Sequence, residues 1–255
     1  ALVEENGRVH IIRLVDESVK IKGIGVFNPK TTMSDVEFGQ EVQIGSKIFK
    51  HLPPRLPELI QGMKRRAQTI GSKDAGVLIT RLGIGPGDVV LEAGLGSGGQ
   101  SMHLSRVLGA SGHLITVEPR EEHSAVGLEN LQTLAQTLSE FPMHSHVHGR
   151  IESNVEEIRT ISANIDAILL DLPEHTSAIE AVAHLLNIGG RLSCYCPVSS
   201  QLEQAWIACE ASGLEVEWAG EIIEREWGKA SKGGVRPVNG PFGHTAFLLI
   251  AQRKN

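Results

Sequence analysis

The 255-residue chain is 41% hydrophobic and carries a formal net charge of −6. This length predicts one large domain, or one domain with a small addition. The net negative charge excludes a general attraction to nucleic acid, so any such site must be a local basic patch. The apolar runs are too short to cross a bilayer, so no membrane partner is expected, and residues 1–5 lack the regions typical of a signal peptide.

The three cysteines are Cys194, Cys196 and Cys209. An odd number without the paired spacing of a metal site predicts reduced thiols and a cytoplasmic location. Cys194 and Cys196 flank a tyrosine in a predicted strand, so their side chains point to the same face. We expect small buried side chains here rather than a zinc or redox site.

Residues 1–60 predict a small N-terminal β domain. Short, partly alternating runs cover 9–14, 19–23 and 40–45, and glycines and an Asn-Pro pair separate them. This part contains neither a nucleophile beside a base nor a cluster of metal-ligating residues. We expect it to contact substrate or a second subunit, with simple structural packing as the alternative.

Residues 61–255 are the second predicted domain, after a linker marked by Pro53, Pro54 and Pro57. A short helical turn at 59–63 leads into three adjacent cations, Lys64, Arg65 and Arg66. Such a run can neutralise phosphates, and a solvated charge run is the alternative.

Helices and strands alternate from residue 72 onward. Ser72 is the predicted N-cap of a helix that ends at Gly83. Further strands are predicted at 89–92, 113–118, 143–148, 165–171, 191–195 and 244–251, and helices at 100–108, 121–139, 154–161, 177–186 and 200–212. This alternation is typical of an α/β fold in which helices cover both faces of a mostly parallel sheet. Ligands of such sheets bind at the carboxyl ends of the strands.

The strand at 89–92 leads into a glycine turn that reads Glu92-Ala-Gly94-Leu-Gly96-Ser97-Gly98-Gly99. The turn fits the Gly-x-Gly-x-x-Gly pattern, in which glycines let the backbone approach a ligand. The N–H groups of the following helix then favour an electron-rich group. Glu92 and the mid-chain position favour S-adenosylmethionine, whose amino-acid end is cationic, over a nicotinamide cofactor. A strand–turn–helix without a ligand is a further alternative.

Two other acidic residues end predicted strands. Glu118 is placed to accept hydrogen bonds from ribose hydroxyls, as in dinucleotide folds. Asp171 begins the segment Asp171-Leu-Pro173, and a carboxylate there can orient a ring through its exocyclic amine. By topology this segment, Tyr195 and Gln201 converge with the glycine turn on one cleft. Capping of the next helix is the alternative for Asp171.

His144, His146 and His148 share one face of a predicted strand. Three imidazoles suggest a metal, but neighbouring positions on one strand face suit a tetrahedral centre poorly. We therefore expect half-buried or surface histidines and no metal site.

Several blocks together resemble the tRNA (adenine-N1)-methyltransferases, whose bacterial and archaeal members are related to the catalytic subunit of the eukaryotic enzyme. The blocks are Arg66-Ala-Gln68 with Lys73-Asp74-Ala75, the glycine turn, Asp171-Leu-Pro173, Tyr195-Cys-Pro197 with Gln201, and Arg236-Pro237 with Gly243-His244-Thr245-Ala-Phe247-Leu248. The likeness covers nearly the whole chain. The patterns Gln-x-Ile-x-x-Lys-Asp-Ala and Gly-His-Thr-x-Phe-Leu are much more specific than the glycine turn.

The resemblance implies a Rossmann-like class I methyltransferase domain that methylates N1 of adenosine 58 in the T-loop of tRNA, and in some archaeal members also position 57. It implies S-adenosyl-L-methionine as the cofactor and a homotetramer. Asp171 would be the catalytic residue at the target adenine. The cofactor-binding residues would be Gln68, Glu92, Gly94, Gly96, Ser97, Gly98, Gly99, Glu118 and Asp171. Those for RNA would be Lys64, Arg65, Arg66, Tyr195, Gln201, Arg236 and His244, with Lys229 and Lys232 in the loop 225–236.

The sequence departs from the family's pattern at three places. Gly71-Ser72 stands where Tyr-Pro is common, and His175-Thr176 stands where Pro-Trp is common. Arg150 replaces an acidic residue near the cofactor adenine, for which Glu152 is a candidate substitute. These departures motivate a second hypothesis, a non-catalytic tRNA-binding subunit of a methyltransferase complex. The intact Glu92, glycines and Asp171 favour the enzyme.

Overall fold

The computed structural model describes residues 1–231, 233–238 and 243–255. The chain divides into two compact units, the first made of residues 1–65 and 129–139 and the second of 66–128 and 140–255. The predicted domain boundary at residue 60 stays a prediction. Among the described residues, no helix has the length and apolar character needed to span a membrane.

The first unit is built mainly from short antiparallel strands. In chain order its elements are β1 (Leu2–Val3), β2 (Val9–His10), β3 (Val19–Ile21), β4 (Gly25–Phe27), α1 (Pro29–Met33), β5 (Glu41–Ile44), β6 (Lys47–His51) and α2 (Leu56–Gly62). One sheet has the order β2-β1-β6-β5, and β3 and β4 form a separate hairpin. Side chains alternate in and out along β5, and a small core gathers around Phe49 and Leu2.

The remaining elements alternate between helix and strand as far as β12, and three further strands follow. They are α3 (Ser72–Leu82), β7 (Val89–Ala93), α4 (Gly99–Leu108), β8 (His113–Glu118), α5 (Glu121–Ala135), β9 (Met143–His148), α6 (Val155–Ile161), β10 (Ile165–Leu170), α7 (Thr176–Val182), β11 (Leu186–Cys196), α8 (Ser199–Ala211), β12 (Leu214–Gly220), β13 (Trp227–Lys229), β14 (Val235–Pro237) and β15 (Phe247–Arg253). Two short 3₁₀ turns lie at Ile151–Ser153 and Ala183–Leu185.

Seven strands form the central sheet, in the order β12-β15-β11-β10-β7-β8-β9. The strands from β11 across to β9 pair in parallel, and β15 is antiparallel to both β11 and β12. Buried apolar residues lie on both faces, for example Leu91 and Ile115 on one and Val90 and Leu114 on the other. The predicted α/β fold is confirmed.

Several predicted boundaries were wrong. Gly71, not Ser72, is the N-cap of α3, and Ser72 is the first helical residue. The last strand begins at Phe247 rather than at residue 244. It pairs with β12, a strand that the sequence analysis did not predict. The helix predicted to reach residue 139 ends at Ala135. The helix end at Gly83 is confirmed, because this glycine adopts the left-handed conformation with φ of 73°.

Candidate functional site

A cavity of about 280 Å³ opens at the carboxyl ends of four parallel strands. Its walls come from the segments after each strand: 93–94 after β7, 117–120 after β8, 149–152 after β9 and 171–174 after β10. The order β10-β7-β8 places it where the chain's connections change direction across the sheet. This is the point where α/β sheets bind ligands.

Gly94 forms the floor between β7 and β10. Its φ is +96°, and a Cβ added there would lie 2.2 Å from the backbone oxygen of Asp171. The Asp171 N–H in turn donates to the Ala93 carbonyl at 3.0 Å. Glycine is therefore required because two backbones meet here, a close approach within the protein itself.

The other predicted residues of the glycine turn pack mostly against protein. A Cβ at Gly98 would lie 3.0 Å from the Gly127 oxygen, and one at Gly99 would lie 2.8 Å from Thr69 Cβ. The buried Ser97 hydroxyl accepts from the N–H groups of Arg66 and Ala67 at 2.9 and 3.0 Å. The glycine turn therefore packs against Gly127 and holds the segment 66–69 in place.

Gly96 has more room than its neighbours in the turn. A Cβ there would meet Ala67 Cβ at an ordinary 3.5 Å, and the carbonyl oxygen of the exposed Gln68 at 4.0 Å. The Gly96 N–H donates to Glu118 Oε2 at 2.9 Å. Gly96 thus connects the glycine turn to the acidic end of β8.

Glu92 lies inside the protein behind the turn. It is 3% exposed, and Ser101 Oγ of α4 donates to its Oε2 at 2.5 Å. Burial raises the pKa of Glu92 to about 8, and the Asp171 charge adds to the increase. The cavity wall described above does not include Glu92.

Glu118 lies on the cavity wall and is also fully buried. Arg120 Nε donates to its Oε1 at 2.7 Å, and the N–H groups of Gly96 and Arg120 donate as well. Burial opposes ionisation of Glu118, but these donors outweigh it and lower its pKa. Glu118 is therefore a carboxylate at neutral pH.

Asp171 is the first residue after β10, and Tyr195 lies near the end of β11. The parallel register pairs Leu170 with Cys194, the residues that immediately precede Asp171 and Tyr195. Burial raises the pKa of Asp171 to about 6, against the opposing effect of Arg120. Gln201 Nε2 donates to the Pro173 carbonyl at 2.9 Å and so ties the segment after β10 to α8.

Arg150 and Glu152 form a pair on the wall after β9. Arg150 NH2 lies 3.2 Å from Glu152 Oε1, and the Ser177 hydroxyl donates to the same oxygen at 2.9 Å. An acidic side chain is therefore present on this wall despite the arginine at position 150. His175 is 2% exposed, and burial lowers its pKa.

The three adjacent cations differ in their partners. Lys64 Nζ lies 2.6 Å from Glu129 Oε1, and Arg66 NH2 lies 3.7 Å from Glu122. An Arg65 guanidinium nitrogen donates to the Ile60 carbonyl at 3.2 Å. All three side chains stay exposed, so each remains accessible to an anion.

The remaining predicted RNA-binding residues lie near the last strands. His244 Nδ1 lies 2.8 Å from Glu221, and its Nε2–H donates to the Pro197 carbonyl at 3.0 Å. The carboxylate of Glu221 raises the pKa of His244. Arg236 and Lys229 lie on the exposed β13–β14 hairpin, whereas Lys232 lies outside the described residues.

The histidine row and the cysteines belong to the framework. His144 Nε2 and His146 Nδ1 both contact the Thr116 hydroxyl, at 2.9 and 3.0 Å. In the described part of the chain, no group of side chains has the arrangement of a metal site. The three cysteines are free and buried, as predicted.

Sequence reasoning missed Arg120, which holds Glu118 and lines the cavity. The signal was a cation two residues beyond an acidic strand end. It also assigned no role to Lys73 and Asp74, although both were quoted as part of a motif. Asp74 is 1% exposed, and the Lys73 ammonium lies 3.0 Å from its Oδ1, as expected because buried acidic residues are rare unless they are paired.

The comparisons with known proteins identify the family of the chain. Residues 49–232 match the family described as the tRNA methyltransferase complex GCD14 subunit. The chain is 28% identical to a tRNA (adenine(57)-N(1)/adenine(58)-N(1))-methyltransferase TrmI of Methanocaldococcus jannaschii, over 98% of this chain and 93% of that protein. It is 33% identical to a tRNA (adenine(58)-N(1))-methyltransferase TrmI of Thermus thermophilus, over 82% of this chain and 78% of the relative.

The fold has a close counterpart among solved structures. A SAM-dependent O-methyltransferase from Thermotoga maritima superposes with a TM-score of 0.81 at 23% identity, covering 99% of this chain and 91% of that one. At that identity the likeness concerns the fold alone. The family match over most of the chain, together with the 33% identical relative, confirms the resemblance seen in the sequence: this chain belongs to the GCD14 family of tRNA methyltransferase subunits.

Proposed function

We propose that this protein transfers a methyl group from S-adenosyl-L-methionine to N1 of adenosine 58 in the T-loop of tRNA. The observation that carries the proposal is the cavity at the strand ends, where Glu118 and Asp171 share a wall with Gly94. Both relatives quoted above are named for this position, and the archaeal one also for position 57. Whether position 57 is a second target here is left to the experiment below.

The cavity wall suits the cofactor chemically. Val117, Ile151 and Leu172 offer apolar surface for a ring, and the ionised Glu118 offers acceptors for ribose hydroxyls. Glu152 offers a further acceptor for an exocyclic amine. We assign Glu92 an indirect role, because its buried carboxyl lies behind the turn and favours a nearby cation once it ionises.

Asp171 is the proposed catalytic residue. When bound, S-adenosylmethionine supplies an electrophilic methyl group on a sulfonium ion. The N1 atom of adenine has a free lone pair, so the protein needs no strong base and acts by positioning. The Asp171 carboxylate accepts a hydrogen bond from the adenine amino group and stabilises the positive charge that the base acquires. The adenosine must leave its stacked position to reach the site.

This role gives the reaction a pH dependence. The pKa of Asp171 is raised to about 6, and the carboxylate is the active form. The second-order rate kcat/KM is therefore expected to rise with pH through about 6 and then level off. An Asp171→Asn variant is expected to lose this dependence together with most of its turnover.

Contacts with the RNA backbone are proposed for the exposed cations Arg65, Arg66, Lys229 and Arg236, and for Lys64. We further propose that the protein works as a homotetramer and in the cytoplasm, where the buried free thiols would stay reduced. Sedimentation analysis of the purified protein measures its oligomeric state and so tests the homotetramer.

The test is methyl transfer from labelled cofactor to an unmodified tRNA transcript, with the nucleoside identified by mass spectrometry. We expect N1-methyladenosine at position 58. A transcript with uridine at 58 is the control for that site, and one with uridine at 57 decides the second position. Cofactor binding without transfer would point to a missing partner chain or a different RNA, whereas neither transfer nor cofactor binding would instead support the non-catalytic subunit.

A further inference from the structure

Between β12 and β15 the chain leaves the central sheet and then returns to it. We call this excursion the arm, and the structure describes its residues 221–231, 233–238 and 243–246. The two ends of the arm lie close together, because Gly220 of β12 pairs with Leu248 of β15. The arm carries the β13–β14 hairpin with the exposed Trp227 and with the cations Lys229 and Arg236, which are proposed above to contact RNA.

Side-chain hydrogen bonds hold the arm at its base. The Lys73 ammonium of α3 donates to the Ile222 carbonyl at 2.5 Å and to Thr245 Oγ1 at 2.9 Å, and so connects the first residues of the arm with the last. His244 makes a similar connection, because its Nδ1 lies 2.8 Å from Glu221 Oε2. The arm therefore begins and ends at one fixed place in the fold.

His244 faces a hydrogen-bond acceptor with each of its ring nitrogens. Nδ1 faces the Glu221 carboxylate, and Nε2 lies 3.0 Å from the Pro197 carbonyl oxygen. Neither acceptor has a proton to donate, and a neutral imidazole carries one N–H only, so the imidazolium alone makes both contacts. The Glu221 carboxylate raises the pKa of His244, in agreement with this geometry, and the nearby Lys73 ammonium, itself paired with Asp74, opposes the increase.

The hydrogen bonds of His244 continue to the cavity wall. The carbonyl that accepts from its Nε2 belongs to the peptide group between Pro197 and Val198. The N–H of this peptide group donates to Gln201 Oε1 at 3.3 Å, and Gln201 Nε2 donates to the Pro173 carbonyl at 2.9 Å. Pro173 lines the cavity at the strand ends. A continuous series of hydrogen bonds thus runs from the base of the arm to the cavity wall.

We propose that His244 is a positioning residue, which as an imidazolium holds the arm in place relative to the cavity, so that tRNA bound by the arm presents its adenosine to the methyl donor. The proposal rests on the proposed function and names a group that acts on RNA binding through the arm. A direct contact of His244 with RNA, as the resemblance implies, would have to break one of its two hydrogen bonds. Above the pKa of His244 one of these contacts is lost, so tRNA binding should weaken as the pH rises.

The first test needs no RNA. In protein labelled with ¹⁵N in the histidine rings, the NMR shifts of the ring nitrogens report whether a histidine carries one proton or two, and His244→Gln identifies the signals of His244. We expect His244 to titrate above the ordinary pKa of 6.5, and Glu221→Ala to return its pKa toward that value. A His244 that titrates at or below 6.5 in the wild-type protein would overturn the proposal.

The second test separates this indirect role from a direct contact with RNA. The dissociation constant of an unmodified tRNA transcript is measured at neutral pH for His244→Gln, Glu221→Ala and the double variant. We expect each single variant to bind tRNA about tenfold more weakly and the double variant no more weakly still, because one interaction is lost in all three. If His244 instead contacted a phosphate, removal of the competing Glu221 carboxylate would tighten binding, and that result would overturn the proposal.

The matched control is Glu217→Ala. Glu217 lies on β12, is exposed like Glu221 and pairs with Arg191 at 2.7 Å. We expect this variant to keep the wild-type affinity for tRNA and its decrease with rising pH, a decrease that His244→Gln should lack. In the transfer assay, His244→Gln should raise the KM for tRNA and leave the KM for the cofactor unchanged. A wild-type protein that binds tRNA and transfers no methyl group would count against the proposed function, while the binding comparison still decides the role of His244.

Discussion

Glu92 and Glu118 stand at the ends of neighbouring strands and are both nearly inaccessible to solvent, yet their pKa values move in opposite directions. The partner of Glu92 is one serine hydroxyl, and burial keeps the carboxyl protonated up to about pH 8. The partners of Glu118 are a guanidinium and two backbone N–H groups. The difference teaches that the donors within reach, more than depth of burial, decide whether a carboxyl at a strand end is charged.

The largest expected loss of stability comes from a substitution in the glycine turn after β7. Gly94→Ala would bring a Cβ within 2.2 Å of the Asp171 oxygen, so the floor of the cavity must move. We expect a loss of more than about 3 kcal/mol in the free energy of unfolding, together with loss of cofactor binding. Denaturant unfolding and calorimetry measure the two quantities.

Gly96→Ala is the matched control for that experiment. Its Cβ would meet ordinary contacts, and the left-handed φ of +53° alone should cost about 1 kcal/mol. Equal losses in the two variants would show that conformation, and not the meeting of two backbones, explains both glycines.

Glu118→Gln removes the carboxylate that is ionised at neutral pH, in contrast to the protonated Glu92. We expect cofactor affinity to fall about 100-fold, because acceptors for the ribose hydroxyls and the pairing with Arg120 are both weakened. Because the pKa of Glu118 is lower in the folded than in the unfolded state, its carboxylate stabilises the fold at any pH above its unfolded pKa. This stabilisation is lost as the pH falls through the folded pKa. The variant should therefore be less stable than wild type at pH 7 and match it in acid.

A surface variant controls for loss of a negative charge. Glu122→Gln removes an exposed partner of Arg66, and such pairs contribute little. If both glutamine variants bind the cofactor equally well, the assignment of Glu118 to the ribose is wrong.

Glu92→Gln should have the opposite effect on stability. The raised pKa means that Glu92 keeps its proton in the folded state. Its contribution to stability is fully present below the unfolded pKa of 4.5 and is lost as the pH rises through the folded pKa of about 8. Glutamine removes that loss, and we expect the melting temperature at pH 8 to rise on the order of 5 °C. Near pH 4 the two proteins should melt together. A lower melting temperature at pH 8 would mean that Glu92 is ionised and paired in the free protein.

The smallest expected effect concerns the hydroxyl beside Glu92. Ser101→Ala removes a hydrogen bond that lowers the pKa of Glu92, so this pKa should rise further and stability at pH 8 should fall by about 1 kcal/mol. Ser105→Ala, one helical turn away and also buried, is the control. A stability change that is the same at pH 5 and pH 8 would speak against coupling between Ser101 and Glu92.

Local patterns predicted most of the parallel sheet. The strands at 113–118 and 143–148 agree with the structure at both ends, because buried and alternating residues are bounded there by turn signals. Glu118 and Asp171 could be found for the same reason, since the carboxyl ends of parallel strands meet at one edge. Ser72 misled because serine is a common N-cap, whereas here its hydroxyl faces His103 Nε2 at 3.4 Å.

The remainder depends on contacts between distant residues. The alternation of apolar residues with glutamates at 214–218 is a strand signal that was missed, and nothing in the sequence 214–220 shows that this strand pairs with the last one. The pairing of Arg150 with Glu152 and the charge state of Glu92 depend on which side chains the fold brings together. The packing of Gly98 against Gly127 and of Gly99 against Thr69 likewise depends on distant residues, and the predicted role of these glycines at the cofactor stays a prediction.

The place of β15 in the sheet has a consequence for synthesis on the ribosome. β15 lies between β11 and β12, although both are translated before it. Until residues 247–253 leave the exit tunnel, β12 lacks the strand with which it pairs and the edge of β11 stays open. A nascent chain at that stage exposes two unpaired strand edges, which is a hazard for aggregation. We expect chaperone binding to protect these edges at this step of translation.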